Sequence, residues 1–425
     1  MPRRALWAYR GAPRRYALSA AAAAERVARE SYGRLLAQLA ARTRDVAAAE
    51  DALADAFAAA LSAWPRGQVP DNPEAWLFAA AKRKLIDAAR RKRTATQSEH
   101  QILLGIEELE AEMTAHDAPD RRLGLMFACA HPAIEDAVRT PLMLQVVLGF
   151  SAERIAAAFL VEPAAMGQRL VRAKKKIRDA GIGFDVPEPA EWRARLAAVL
   201  DAIYAAYGAG WSDPLGADPE RRGLAEEAVW LARVLVGQVR DEPEALGLLA
   251  LLLHLEARRP ARRDADGRFV PLDEQDVGLW LREMLLEAET ILRAASAAQR
   301  PGRFQLEAAI QSAHATRAWR GEADWDAIVL LYGALSELTG SPVARLNAAA
   351  AIARRDGPEA GLAAAEDLAA NFGVLLDYQP YWALRADLCA RLGRAEAARA
   401  AYDEAIIRES DAAVIAFLKV RRNSV

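Results

Sequence analysis

Leu35, Leu36, Leu39, Val46, Leu53, Phe57 and Leu61 recur at helical spacing, and that period returns along most of the chain. Stripes of this kind must bury against other helices, so the pattern restricts the fold to packed helical layers. Composition points the same way. Hydrophobic residues make up 53 % of the chain, mostly Ala and Leu, while strand-favouring Val, Thr and aromatic residues are modest. The expected class is all-α. With 425 residues the chain is too long for one ordinary core, so two or three domains are expected.

The interruptions mark the domains. Residues 1–20 form a basic tail, read as a tail and not as an export signal. A first helical module covers 21–93. Within it, one helix ends at Trp64-Pro65, the stretch PRGQVPDNP is a loop, and the next helix runs from Glu74 to Arg93. Residues 94–120 carry seven acids and no Lys or Arg, which reads as an acidic linker. A second module covers 121–186 and closes on GIGFDVPEP. Residues 187–425 are a helical extension with one break, RRDADGRFVPLDEQD, expected as a short hairpin or loop. From about residue 300 the extension shows tetratricopeptide-like (TPR-like) repeats. Trp382, Ala386, Gly393, Ala398, Tyr402 and Ala405 fall where such a helix pair alternates small and large residues.

The net charge of −2 hides an asymmetry: residues 1–186 hold 28 Lys/Arg against 22 Asp/Glu, and residues 187–425 hold 28 against 36. A basic front joined to an acidic back places nucleic-acid contact in the front. Cys129 and Cys389 are too distant in sequence to encode a disulfide framework, so a reducing, cytoplasmic setting is expected. No apolar run is long enough to span a membrane.

Residues 76–93, WLFAAAKRKLIDAARRKR, carry seven Lys and Arg. At 100° per residue, Leu77, Phe78, Ala81, Leu85, Ala88 and Ala89 share one side, while Trp76, Arg83, Asp87 and Arg90 share the other. An exposed indole among guanidiniums suits stacking on an unpaired base and holding its phosphates. A surface Trp on a solvated helix is the competing reading. Residues 151–178 then offer a Ser151 N-cap, a short helix to Phe159, a turn at 160–162, and a second helix opened by Pro163. Met166, Leu170, Ala173 and Ile177 form its inward stripe; Gln168, Arg172 and Lys175 form its outward one, flanked by Arg169 and Lys176. This is a helix-turn-helix plan in which Gln and Arg read base edges while Lys174, Lys175 and Lys176 hold phosphates. An ordinary helical hairpin remains the alternative.

Catalytic constellations are missing: there is no nucleophile-base spacing and no phosphate-binding glycine loop, so no enzyme activity and no cofactor is expected. Cys129 and His131 have no second ligand pair, so no metal is expected; Pro132 reads as the start of a helix. The DADG of the extension has Arg262 at its first calcium-ligand position, which excludes a calcium loop.

DVAAAEDALADAFAAALSAWP, VPDNPEAWLFAAAKRKLIDAARRKR, LMFACAHPAI and ERIAAAFLVEPAAMGQRLVRAKKKIRDAGI together resemble an extracytoplasmic-function (ECF) sigma factor of the sigma-70 family. The subgroup most similar carries a long C-terminal TPR-like extension. The resemblance runs from about residue 25 to the end. It implies that residues 21–93 are sigma region 2 and 121–186 are region 4. It also implies that Asp45, Glu50, Asp51, Asp55 and Phe57 dock on the β′ clamp coiled coil of core RNA polymerase, region 4 meeting the β flap. The loop from Trp64 to Asn72 would capture a flipped base of the promoter −10 element. Trp76, Arg83, Arg90, Arg91, Lys92 and Arg93 would hold the melted strand, and the helix of Ala165, Gly167, Gln168, Arg169, Arg172, Lys174, Lys175 and Lys176 would read the −35 element. Ala165 and Gly167 stand where the family often has polar side chains, which implies fewer direct base contacts. The resemblance further implies regulation by the extension and, as a candidate partner, a small DGPF-type protein. Two other readings stand beside it: a helix-turn-helix regulator with a helical ligand- or protein-sensing domain, and a TPR adaptor with a basic front.

Overall fold

The computed structural model describes residues 20–66, 69–93, 120–159, 161–211, 224–239 and 241–425, in two compact units, residues 1–199 and 200–425. Among the described residues there are helices, short 3-10 turns and one isolated antiparallel bridge between Arg263 and Phe269, and no strand. The class is all-α, as the periodicity requires. The basic tail and nearly all of the acidic linker lie outside the described residues.

In the first unit, α1 (Ala20–Thr43), α2 (Val46–Ala63) and α3 (Pro73–Arg93) pack on one another. Arg44, at φ 53°, turns the chain between α1 and α2, and Asp45 caps α2 by accepting from the Ala48 N–H at 3.1 Å. Leu35, Leu36 and Leu39 of α1, Ala49, Leu53, Ala56 and Ala60 of α2, and Leu77 and Ala81 of α3 are all fully buried where the three helices pack. Each buried Leu contributes about 1.5–3 kcal/mol, and the alanines let the helices approach closely. On the rim, Glu74 accepts from the Ser31 hydroxyl at 3.1 Å and pairs with Arg34, fixing α3 to α1.

The same unit continues with α4 (Arg122–Cys129), α5 (Asp136–Leu148), α6 (Ala152–Ala158) and α7 (Pro163–Asp179). Pro132 does not begin a helix. Residues 131–134 turn instead, the Ile134 N–H reaching the His131 carbonyl at 2.8 Å, and α5 starts at Asp136. Ser151 caps α6 by accepting from the Arg154 N–H at 3.3 Å, and Pro163 opens α7, as expected at both positions. These helices also pack on the first three: α1 against α4 and α5, α2 against α7. Gly33 shows how close that contact is. A Cβ there would lie 1.7 Å from the Val147 carbonyl oxygen of α5, so only glycine fits. The modules on either side of the acidic linker therefore share one core.

The boundary between the units falls inside α8 (Pro189–Trp211). In the second unit, α9 (Leu224–Gln238) leads to α10 (Pro243–Ala257), whose Leu248, Leu249, Leu251, Leu252 and Leu253 are all buried. An apolar face all round makes α10 a central helix. It packs on α11 (Arg282–Ala297) and α12 (Arg303–Ala315), and Glu244 caps α12 by accepting from the N–H groups of Phe304 at 3.0 Å and Gln305 at 3.2 Å. Successive neighbours then follow: α13 (Trp325–Thr339), α14 (Pro342–Arg355), α15 (Pro358–Asn371), α16 (Gln379–Arg391), α17 (Ala395–Ile407) and α18 (Ala412–Asn423). In the α16–α17 pair, Ala386, Ala398, Tyr402 and Ala405 are buried, and Gly393 turns the chain at φ 70°.

The break at residues 262–276 is an ordered loop. Asp264 accepts from the N–H groups of Asp266 and Arg268, Arg263 pairs with Asp411 at 2.6 Å, and Phe269 meets Phe417 edge-on at 5.5 Å. Asp273 and Glu274 pair with Arg354 and Arg421. Between α10, α12, α13 and α14 lies a cavity of about 560 Å³ whose lining includes Tyr204, Leu251, Ile310, Tyr332 and Asn347.

Candidate nucleic-acid interface

On α3, Arg83 and Lys84 are exposed, and Lys84 pairs loosely with Asp55 of α2 at 3.3 Å. Lys82 differs from them and is buried. Its position was legible, since it lies four residues after Phe78 and three before Leu85, on the apolar side. Arg90, Arg91, Lys92 and Arg93 continue the helix, but their side chains lie outside the described set.

The indole of Trp76 is half-buried and not fully exposed. It packs edge-on against Trp64, with ring centroids 5.5 Å apart and planes at 68°. Trp64 is itself 3 % exposed, so it supports Trp76 from beneath and does not line an open loop surface. This corrects the expectation of a base-contacting Trp64, and the reason is periodicity: Trp64 follows Ala60 by four and continues the buried stripe of α2. Asn72 caps α3, its side-chain oxygen accepting from the Ala75 N–H at 3.0 Å, while the residue remains exposed. Of the loop between them, Gly67 and Gln68 lie outside the described residues.

α7 presents a polar face. Gln168, Arg172, Lys175 and Lys176 are exposed, while Ala165, Gly167 and Arg169 are half-buried, and nothing lies within 4 Å of where a Gly167 Cβ would stand. Val171 joins this face at 63 % exposure. The sequence reading passed over Val171, although it follows Gln168 by three positions and precedes Lys175 by four.

Lys174 faces the other way. Its ammonium lies 2.5 Å from the Glu50 carboxylate of α2, with the two side chains only 11 % and 15 % exposed. Neither residue lies on the surface expected of it: Lys174 is off the exposed face of α7, and the Glu50 carboxylate is turned away from solvent. The spacing explains this, because Lys174 sits four after Leu170 and three before Ile177, beside the inward stripe. Burial pushes the Glu50 carboxyl up, and the Lys174 charge pulls it partly back. Beside this pair, Arg178 lies 3.5 Å from Asp45, whose carboxylate also caps α2 and is 14 % exposed. Asp51 and Asp55 of the expected docking set stay exposed, and Phe57 is half-buried.

The first unit thus carries an aromatic-supported cationic helix, an acidic helix, and a helix with amide, guanidinium and ammonium groups on one side. Such faces bind polyanions and basic surfaces. Among the described residues no cluster of His, Cys, Asp and Glu could hold a metal ion, and no helix is long and apolar enough to cross a membrane.

Residues 28–95, which hold α2, α3 and most of α1, match sigma-70 region 2. Residues 195–296 match a family of unknown function, DUF6596. An uncharacterized protein of Rhizobium meliloti (strain 1021) is 39 % identical over 384 residues, covering 89 % of this chain and 90 % of that protein. No solved structure matches.

Proposed function

We propose a function from this premise: the chain belongs to one family with the Rhizobium meliloti protein and, by the region 2 at residues 28–95, is a sigma-70 family factor acting in transcription initiation. The finer reading is an ECF-type sigma factor that directs core RNA polymerase to particular promoters. The observation that carries it is the coincidence of the region 2 match with α2 and α3, one exposing Asp51 and Asp55 and the other Arg83 beside a propped indole.

In this reading α2 docks on the basic surface of the β′ clamp coiled coil. Trp76 then stacks on an unpaired base of the −10 element while Arg83 and its neighbours hold phosphates. α6 and α7 act as the helix-turn-helix of region 4, near the β flap. Gln168 and Arg172 pair with base edges of the −35 element, Val171 meets a thymine methyl, and Lys175 and Lys176 hold the backbone. With Lys174 and Glu50 withdrawn into their mutual pair, the phosphate set and the docking set are each one residue smaller than the sequence implied.

The extension is the regulatory part. Its stacked helices, TPR-like in sequence, and its cavity suit binding of a small protein, a DGPF-type one among the candidates, or of a small molecule. The protein works in the cytoplasm, without a cofactor and without catalysis of its own.

The decisive experiment adds the purified chain to core polymerase on a promoter library and sequences the run-off transcripts. Promoter-specific starts are expected. Their absence, with sequence-specific duplex binding retained, would favour a helix-turn-helix regulator.

A further inference from the structure

The second unit contains a cation that its own fold does not neutralise. Arg258 directly follows α10 and is 6 % exposed, yet among the described residues no carboxylate lies within ion-pair distance of it. Its guanidinium donates to the side-chain oxygen of Gln311 on α12 and lies over the Trp280 ring, 6.0 Å from the centroid. Burial lowers its pKa to about 10, and the other groups that act on its charge are Tyr207, Tyr332 and Arg317. The neighbouring arginines differ, since Arg259 pairs with Glu256 and Arg263 with Asp411. The two nearby histidines offer no anion either: burial, and then the Arg258 charge, keep His254 and His314 neutral. A buried charge without a counter-ion is costly, so such a site favours an anion that can reach it.

Gln311 connects this charge to the cavity between α10, α12, α13 and α14. A guanidinium only donates, so the amide oxygen of Gln311 faces Arg258 and its NH2 group faces away. Gln311, Tyr332 and Asn347 all line the cavity. Among the described residues neither the Gln311 NH2 nor the Tyr332 hydroxyl has a hydrogen-bond partner. The charged residues of the lining cancel: Arg303 pairs with Glu307 at 2.8 Å, and Arg303 also meets Asp201, a half-exposed carboxylate outside the lining, at 3.1 Å. Leu251, Leu255, Ile310 and Leu335 supply aliphatic wall.

We propose that this cavity binds a small organic acid, a single carboxylate on an apolar body, whose oxygens accept from Gln311 and Tyr332 in front of Arg258. A cavity of about 560 Å³ suits a ligand of this kind. One uncompensated guanidinium behind two neutral donors matches a monoanion with two acceptor oxygens; a phosphate dianion would bring more charge than the site balances. The aliphatic walls take the body out of water. What the acid controls rests on the reading of the extension as the regulatory part; that it binds rests on the cavity.

Isothermal titration calorimetry of the full chain tests this with octanoate, using 1-octanol and octylammonium as probes of the same length. Octanoate should bind saturably, octanol about tenfold more weakly, and octylammonium not at all. Tyr332→Phe removes only a hydroxyl and should weaken octanoate about tenfold while leaving octanol unchanged. Gln311→Glu supplies the counter-ion from within the protein, so its melting temperature should exceed that of the wild type while octanoate binding is lost. Equal binding of the three probes, no saturable binding of octanoate, or wild-type octanoate affinity in both variants would each overturn the site. The promoter-library experiment is separate: a chain that starts no transcripts can still bind octanoate, and one that starts them can fail to bind it.

Discussion

His254 makes acid lability of the second unit calculable. It lies on α10 with no exposure, neither ring nitrogen has a hydrogen-bond partner, and the nearest carboxylate oxygen, on Glu289, is 3.5 Å from Nε2. Burial, and then the Arg258 charge, lower its pKa to about 3. His314, edge-on to Trp325 at 5.5 Å, is lowered to about 3 by burial, Arg258 and Arg317. Both rings are therefore neutral in the fold despite the nearby carboxylate, whereas an unfolded His protonates near 6.5. Below that value the unfolded chain binds the extra protons, so stability is full above about pH 6.5 and falls as the pH moves toward 3. At pH 5 the loss is roughly 2 kcal/mol for each ring, from about 1.4 kcal/mol per unit over ~1.5 units, or about 4 kcal/mol together. Urea unfolding followed by far-UV circular dichroism between pH 8 and pH 5, with hydrogen exchange of α10 amides to identify the unit, measures it. His254→Leu should remove about half of the drop while changing stability at pH 8 much less. A drop as steep as wild type in that variant would refute a neutral, desolvated His254.

Three further outcomes concern the interface. Trp76→Ala should reduce permanganate reactivity of thymines near the start site more than it reduces polymerase binding, and loss of the edge contact with Trp64 should cost about 0.5–1.5 kcal/mol of stability. Replacing Gln168 and Arg172 with Ala should weaken −35 preference by roughly 1–3 kcal/mol per lost bidentate contact in a selection on randomised promoters, whereas Lys175→Ala should lower affinity for all duplexes and flatten the salt dependence. Truncation after Pro189 should abolish reporter transcription if the extension is obligatory support; a more active truncated chain would make it an inhibitor.

Much of this was legible because one helix at a time carries its own record. The inward and outward stripes of α7, the Ser151 cap, the Pro163 start and the stop at Trp64-Pro65 all follow from local rules. The misplaced residues share one cause. Lys174 was grouped by chemical type with its lysine neighbours and Trp64 came in with the loop that the family resemblance implied, although their angular positions put both beside buried stripes. A lysine on an apolar stripe requires a carboxylate on the facing helix, and no local pattern says which helix faces it. The Glu50 partner and the Gly33–Val147 approach are tertiary facts, formed between segments separated by the acidic linker. Pro132 failed differently: a proline suited to a first helical turn also suits the turn that precedes one.

The loop at residues 262–276 changes how the second unit must come apart. In an open stack each helix pair touches only its neighbours, and the last pair can fray while the rest stays folded. Here Arg263 holds Asp411 across 148 residues of sequence, Phe269 meets Phe417, and Glu274 pairs with Arg421. The terminal helix α18 is thereby bonded to the segment that follows α10, and fraying it means breaking contacts made by the unit's first half. The entropy of closing that long circuit is lost once, and doubling such a loop adds only about 0.6 kcal/mol, so its length is no obstacle. The helices from α10 to α18 are therefore expected to unfold more nearly together than an open stack would, so that a change at Phe417 should be felt toward α10 as well as at α17.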